Sequence, residues 1–327
     1  MKKFLAILLT LMMVFTIATP AYAAMDKEDV QTSVGEIADD NSFVGKVTNF
    51  FVGIIESIHN LLHNIARKVS IKCPFCGKRF IVAKPGAVED AFADAKSGDT
   101  IEFEAGEYGA ITLGSLEGII LEGKDGVDVD SFITTAETSL KDVTIKGFDL
   151  DVAASGESCM VIDATAVIEN LVIEDVTFTG PVTVKNCYGI KGNNTSATMT
   201  VKNCTFDGTG YALYSTGKGG YAELTVENCT FNDIYSWVIL VQYGFLGDLT
   251  ITGCTFNACE DGISKNGSFD AAKTFTFTNN TVADNCAGHD GKDSKWFELK
   301  TATAVIEGNT FGGAEWIPGD AQGIKPL

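Results

Sequence analysis

"LTVENCTFND" occupies residues 224–233 of the chain. The phrase returns 25 residues later as "LTITGCTFNA", 249–258, and stands 25 residues earlier as "MTVKNCTFDG", 199–208. Within it, apolar Leu224 and Val226 alternate with polar Thr225 and Glu227. That is the period of a strand with one buried face. A strand recurring at a fixed interval of roughly 20–50 residues marks a stacked, repetitive architecture.

Working outward, the central apolar residue of each block falls at Ile120, Ile145, Ile173, Val201, Val226, Ile251, Phe277 and Ile306. The intervals are 25, 28, 28, 25, 25, 26 and 29. Between blocks lies a second extended segment, such as "YALYST" (211–216), "WVILVQY" (237–243) and "WFELKTA" (296–302). Each coil therefore holds two or three short strands joined by turns. Stacking places every strand on its counterpart one coil below, in parallel sheets about 4.8 Å apart, so that about seven to nine coils make a rod roughly 35–45 Å long.

In-register stacking converts repeats into ladders. Phe206, Phe231 and Phe256 form one in the core, and Asn203 and Asn228 one at the turns, hydrogen-bonding along the stack. Cys204, Cys229 and Cys254 form a third. Three equivalent thiols do not pair off, and a free buried cysteine behaves as a small hydrophobe. The "NCTF" phrase is thus architectural. The stretch 87–113 supplies an entry: an Ala-rich amphipathic helix, a Ser-Gly turn and the strand Thr100–Phe103. The helix is expected to cover the open end of the first coil, which otherwise exposes unpaired backbone.

The helix, "SGDTIEFEAGEY" and the "VENCTF"-type coils together resemble the right-handed parallel β-helix of the pectate-lyase-like superfamily, over about residues 85–318. The resemblance implies an all-β right-handed parallel β-helix with an N-terminal capping helix. It does not choose a function, because the superfamily holds lyases, glycosidases, esterases and non-catalytic surface proteins.

The ends of the chain add other expectations. "MKKFLAILLTLMMVFTIATPAYA" (1–23) has Lys2 and Lys3, an apolar run and Ala21-Tyr22-Ala23, the pattern of a cleaved secretory signal peptide. It points to a secreted, extracellular protein. Residues 24–41 read as a polar linker and 319–327 as a tail. Residues 42–70 form an amphipathic helix, with Phe43, Val47, Phe50, Ile54, Ile58, Leu61 and Ile65 at spacings of three and four. Its polar face is thin in Lys and Arg, so it is read as packing on a partner protein or a second copy rather than on a membrane. At 71–84 comes a knuckle with Cys73-Pro74-Phe75-Cys76, half of a zinc-ribbon site. His59 and His63, four apart on one helix face, complete a Cys₂His₂ zinc set on paper. A local disulfide or idle thiols read the same residues equally well.

Net charge is −19, which makes nucleic acid a poor partner. The chain contains two arginines, Arg67 and Arg79, both ahead of the rod. The best-known pectate lyases use an arginine base, so that role has no occupant here. Related lyases use lysine, with calcium held by Asp and Glu. Carried over to "CEDGISKNG" (259–267), the resemblance makes Lys265 the catalytic base and Glu260 and Asp261 the Ca²⁺ ligands. "EDG" and "KNG" are also ordinary turn sequences. The polygalacturonase signatures "NTDG", "GDD" and "RIK" are missing.

Tyr188, Tyr211, Tyr214, Tyr235, Trp237, Tyr243 and Trp296 all fall in the second-strand regions of successive coils. If they face outward, Tyr188, Tyr214, Tyr235, Trp237 and Trp296 make a carbohydrate-binding platform, since a sugar ring's CH face packs on an aromatic. If they face inward, they fill the widest part of the coil. The expectation is a secreted, non-catalytic β-helix that binds polysaccharide. The alternatives are a calcium-dependent polysaccharide lyase and a spacer in a larger extracellular assembly.

Overall fold

The computed structural model describes residues 53, 57–62, 64–65, 72–73, 77–182, 184–215, 220–242, 245–266, 272–286, 296–315 and 325–326. The signal-like segment, Cys76 and His63 lie outside them. The chain divides into two compact units, Met1–Ile81 and Val82–Leu327.

In the first unit, residues 57–62 are helical, and the apolar Leu61 and Ile65 are exposed. Cys73 is buried in a turn closed by Cys73 N donating to Lys78 O and Gly77 N to Cys73 O, both at 2.8 Å. Among the described residues, no helix is long and apolar enough to cross a membrane.

The second unit is a solenoid of parallel strands in three long sheets. Sheet 1 runs through Thr100–Phe103, Ile120–Glu122, Thr144–Lys146, Leu171–Glu174, Thr198–Lys202, Gly220–Glu227, Phe245–Thr252, Ala272–Thr278 and Lys300–Glu307. Sheet 2 runs from Asp149–Asp151 through Thr205–Asp207, Thr230–Asn232 and Thr255–Asn257 to Thr310–Phe311, where a short antiparallel strand, Ala314–Glu315, closes it. Sheet 3 runs from Ala110–Thr112 through Ser158–Ile162, Tyr188–Gly192, Tyr211–Ser215, Trp237–Gln242 and Asp261–Asn266 to Phe297–Glu298. The segment 296–302 holds the end of one sheet-3 strand and the start of the next strand of sheet 1. The capping helix is short, Val88–Asp94, with Ala91 its buried residue.

Six of the seven repeat intervals match the register. Ile145, Ile173, Val201, Val226, Ile251, Phe277 and Ile306 stack on one another in turn. The first interval is one residue off: Ile145 stacks on Leu121, which is fully buried, whereas Ile120 is half-exposed. The run "GIILEG" offers three adjacent aliphatic candidates, and alternation alone does not rank them.

The corner after each sheet-1 strand from Thr144–Lys146 onward explains the rest of the repeated phrase. Gly147, Asp175, Asn203, Asn228, Gly253, Asn279 and Gly308 all have φ between 52° and 70°. This left-handed region is open to Gly and tolerated by Asn and Asp. A Cβ at Gly253 would run into Oδ1 of Asn228, and one at Gly308 into Oδ1 of Asn279. At these two steps Gly follows Asn and leaves room for its side chain, whereas Asn203 is followed by Asn228. The side chains that bond along the stack sit one position later, where the Cys column becomes asparagine. Cys254 N donates to Asn280 Oδ1 (2.8 Å), Asn280 N to Asn309 Oδ1 (2.8 Å), and Asn309 Nδ2 to Phe277 O (2.7 Å). The hydrogen-bonded ladder expected at Asn203 and Asn228 is thus found at the buried Asn280 and Asn309.

Phe178, Phe206, Phe231 and Phe256 stack face to face inside the coils, with centroids 4.5, 5.1 and 5.0 Å apart and planes within 9°. Cys204, Cys229 and Cys254 are buried and free, as is every other cysteine among the described residues. In-register neighbours hold their Cβ atoms about one strand spacing apart. That exceeds the roughly 3.5–4.5 Å a disulfide needs.

Replacing Phe231 with Ala removes the middle of the Phe ladder from a site with no exposure. The expected loss is about 3–5 kcal/mol, read as a lower urea midpoint at unchanged slope. A loss below about 1 kcal/mol would mean the ladder does not carry the core.

Candidate functional site

The outer faces of the sheets differ in kind. On sheet 2, Thr177, Thr205, Thr230, Thr255, Thr281 and Thr310 stack in one column. Such in-register β-branched pairs suit a pleated surface. On sheet 1, charges alternate, with Lys146–Glu122 and Lys202–Glu174 paired at 3.0 Å. Among the described residues, the outer face of sheet 3 alone carries a run of aromatic side chains.

The cause is a break in strand alternation. In each of three central sheet-3 strands, two consecutive residues turn inward: Gly189-Ile190, Ala212-Leu213 and Val238-Ile239. Ile190, Ala212, Leu213, Val238 and Ile239 have no exposure, and a Cβ at Gly189 would meet the core ring of Phe206. The residues flanking this inward pair both face out, three positions apart. Two outward columns result. One is Tyr188, Tyr211, Trp237 and Asp261; the other is Lys191, Tyr214 and Leu240, continued in register by the buried Ser264.

The columns meet in one cluster of Tyr188, Tyr211 and Leu240, with the half-exposed Tyr214 and Trp237 packed against it. Tyr188 lies 5.4 Å from Tyr211 at 16° and 4.7 Å from Tyr214 at 30°. Tyr214 lies 4.8 Å from Tyr211. Lys191 Nζ sits 4.8 Å from the centre of the Tyr188 ring. The Tyr214 hydroxyl donates to Gln242 Oε1 at 3.0 Å. Tyr188 and Tyr211 spend their faces on each other and on Tyr214, and are 8% and 9% exposed. The ring surface left to solvent belongs to Tyr214 and Trp237.

Other expected site residues fall elsewhere. Trp296 is buried in register with Gly262, an inward position, and packs edge-on against Phe256 at 5.5 Å and Phe311 at 6.2 Å. It fills the last coil and offers no face to a sugar. Tyr235 is half-exposed in the turn before Trp237, its N–H donating to Thr209 O. Glu260 and Asp261 are half-exposed at the start of their strand, Asp261 in register with Trp237. Lys265 lies on the same strand, in register with the buried Val241. Tyr243 lies outside the described residues. Among the described residues, no group of three His, Cys, Asp or Glu side chains is arranged to hold a metal ion. Leu240 is a cluster member that residue type alone did not single out, since the second outward column needs the inward pair to be known; Tyr211, left out of the expected platform, also belongs to the cluster.

Burial pushes the Tyr188 phenol up to about 12, with Tyr214 and Tyr211 adding to the shift. In the thiol column, the neighbouring Cys204 works downward on Cys229, but the neighbouring Cys254 and burial outweigh it and hold Cys229 up at about 12. Cys254, which accepts from Cys229 N, is lowered, with Cys229 the main cause.

The chain belongs to the right-handed β-helix family: the family model described as a right handed beta helix region matches residues 118–311. Similar solved structures include the PL6 family alginate lyase AlyGC, at 16% identity and TM-score 0.41, covering 77% of this chain and 40% of the lyase. A mutant of that lyase matches at 13% and 0.37, covering 76% and 39%. The ORF18 protein of Geobacillus virus E2 matches at 13% and 0.34, covering 72% and 52%. The chain thus spans about two fifths of the lyase and half of the viral protein. No curated protein matches it.

Tyr188 and Cys229 keep their protons in the folded state above the ordinary values of about 10 and 8.5. Their stabilising contribution is complete below those values and is lost as pH rises toward 12. The unfolding midpoint should therefore fall between about pH 9 and 12. Phenolate absorbance should show a tyrosine that ionises near 12, absent in Tyr188→Phe. Titration of every tyrosine near pH 10 would contradict this environment.

Proposed function

We propose that this is a secreted, non-catalytic right-handed β-helix protein that binds polysaccharide on the outer face of sheet 3. The observation that carries this is the aromatic cluster set on an outward surface, with Tyr214 and Trp237 still half-exposed. A pyranose CH face gains from covering such rings, and Gln242 beside them offers an amide for the sugar hydroxyls. The fixed spacing of the coils suits a polymer better than a single small ligand, because successive units meet successive strands. The signal-like residues 1–23 support export. The calcium-dependent lyase reading keeps Lys265 as base and Glu260 and Asp261 as ligands. The spacer reading gives the segment 42–70 the task of docking.

The test is retention of the mature chain on a panel of polysaccharides with calcium present, together with ultraviolet absorbance of unsaturated products. The proposal expects retention without product, and at least a tenfold weakening in Trp237→Ala, as for a central interface tryptophan worth about 2 kcal/mol or more. Product formation abolished by both chelation and Lys265→Ala would replace binding with lysis. Failure to bind any glycan would leave the spacer reading.

A further inference from the structure

We infer that the segment from the helix around Leu61 through the Cys73 turn docks on an anionic lipid surface, with the helix lying along the surface rather than crossing it. Leu61 is 59% exposed and Ile65 46%, and Leu61 is the most exposed large hydrophobic side chain among the described residues. The two stand four apart, so they are neighbours on one helix face. Ile58 and Leu62 are half-buried, so one apolar row is spent within the unit and a second is left outside. The exposed face runs through Gly53, Ser57, Asn60, Leu61, Asn64 and Ile65 and carries no charge among the described residues.

The cations that hold such a face on lipid follow this helix instead of lining it. Between Glu56 and Glu89 the chain has six cations and no carboxylate. Arg67 and Lys68 lie outside the described residues. Arg79 has an interaction partner of its own, and Lys84, in the second unit, stands 4.0 Å from Glu104. That leaves Lys72 and Lys78, both exposed on the Cys73 turn, where Lys72 is bridged through its backbone to Arg79. Neither lysine forms an ion pair among the described residues. From Ile65 to Lys72 the chain reaches at most about 25 Å, so the apolar pair and the lysines can meet one surface.

An apolar row followed by unpaired ammonium groups selects among partners. A second copy seated on Leu61 and Ile65 in a two-fold dimer would bring two acid-free basic segments together. An acidic polysaccharide would answer the lysines and leave the aliphatic pair in water. An anionic bilayer answers both: its interface takes in an apolar helix face to a depth of about 5–10 Å, and its negative surface potential draws the lysines. The same field repels the rest of a chain whose net charge is −19, which confines contact to this segment.

The mature chain would be sedimented with vesicles of phosphatidylcholine alone and of phosphatidylcholine mixed equally with phosphatidylglycerol, at low salt and at about 1 M, where the Debye length is near 3 Å. The expected result is binding to the mixed vesicles at low salt, at least tenfold weaker on neutral vesicles and at high salt. The pair Leu61→Gln, Ile65→Gln should weaken binding at least tenfold, and Lys72→Gln and Lys78→Gln about fivefold each. All four side chains are exposed, so the thermal unfolding midpoint and retention on glycan should not move. No binding to the mixed vesicles would overturn the inference, as would binding that ignores lipid charge or these substitutions. A dimer in light scattering that Leu61→Gln, Ile65→Gln dissolves, without vesicle binding, would give the face to a second copy instead.

Discussion

Each coil is tied to the next by backbone hydrogen bonds that run along the stack, and those bonds hold every residue over its counterpart at one strand spacing. Nearly everything else follows from that constraint. Identical side chains must be able to stack at about 4.8 Å, which flat phenylalanines, threonines and small thiols do well. The chain must also turn a corner at the same place after each sheet-1 strand from Thr144–Lys146 onward. Seven left-handed residues, one per coil, do so, and only Gly, Asn and Asp occupy them. The repeated "NCTF" phrase is the sum of these demands: a left-handed corner, a small buried group, an outward β-branched residue and a core ring.

The aromatic face depends on a local departure from this regularity. Two successive inward residues in the sheet-3 strands place the flanking outward residues three apart instead of two. Two outward columns then stand close enough for Tyr188, Tyr211 and Tyr214 to stack across them. The same departure sends Trp296 inward, because it aligns with the inward Gly262 rather than with Trp237. One backbone feature therefore separates a surface tryptophan from a core tryptophan two coils further on.

The coil, its period and its core ladders were legible in the sequence because period-2 alternation and the 25- to 29-residue interval are both written in residue identities. The register was off only at Ile120, where adjacent aliphatic residues carry no phase. Stacking at Asn203 and Asn228 was read at the corner, whereas the polar ladder lies one residue later, in a column that begins as cysteine. The face of sheet 3 was not legible in detail, since alternation fails exactly where two inward residues adjoin, as at Val238-Ile239. Residue type placed aromatic side chains in these strands. It could not say that Tyr188 and Tyr211 would cover each other, or that Trp237 would stand in register with a carboxylate.

The most direct measurement of the central claim is tryptophan fluorescence during titration with soluble oligosaccharides cut from a retained polymer. Trp296 and Trp316 would be replaced by Phe so that Trp237 reports alone, among the three tryptophans of the chain. The account predicts a saturable change in Trp237 emission with the same midpoint as binding measured by calorimetry, lost in the presence of Tyr214→Ala. Binding by calorimetry with no response from Trp237 would place the glycan on another surface and contradict the account.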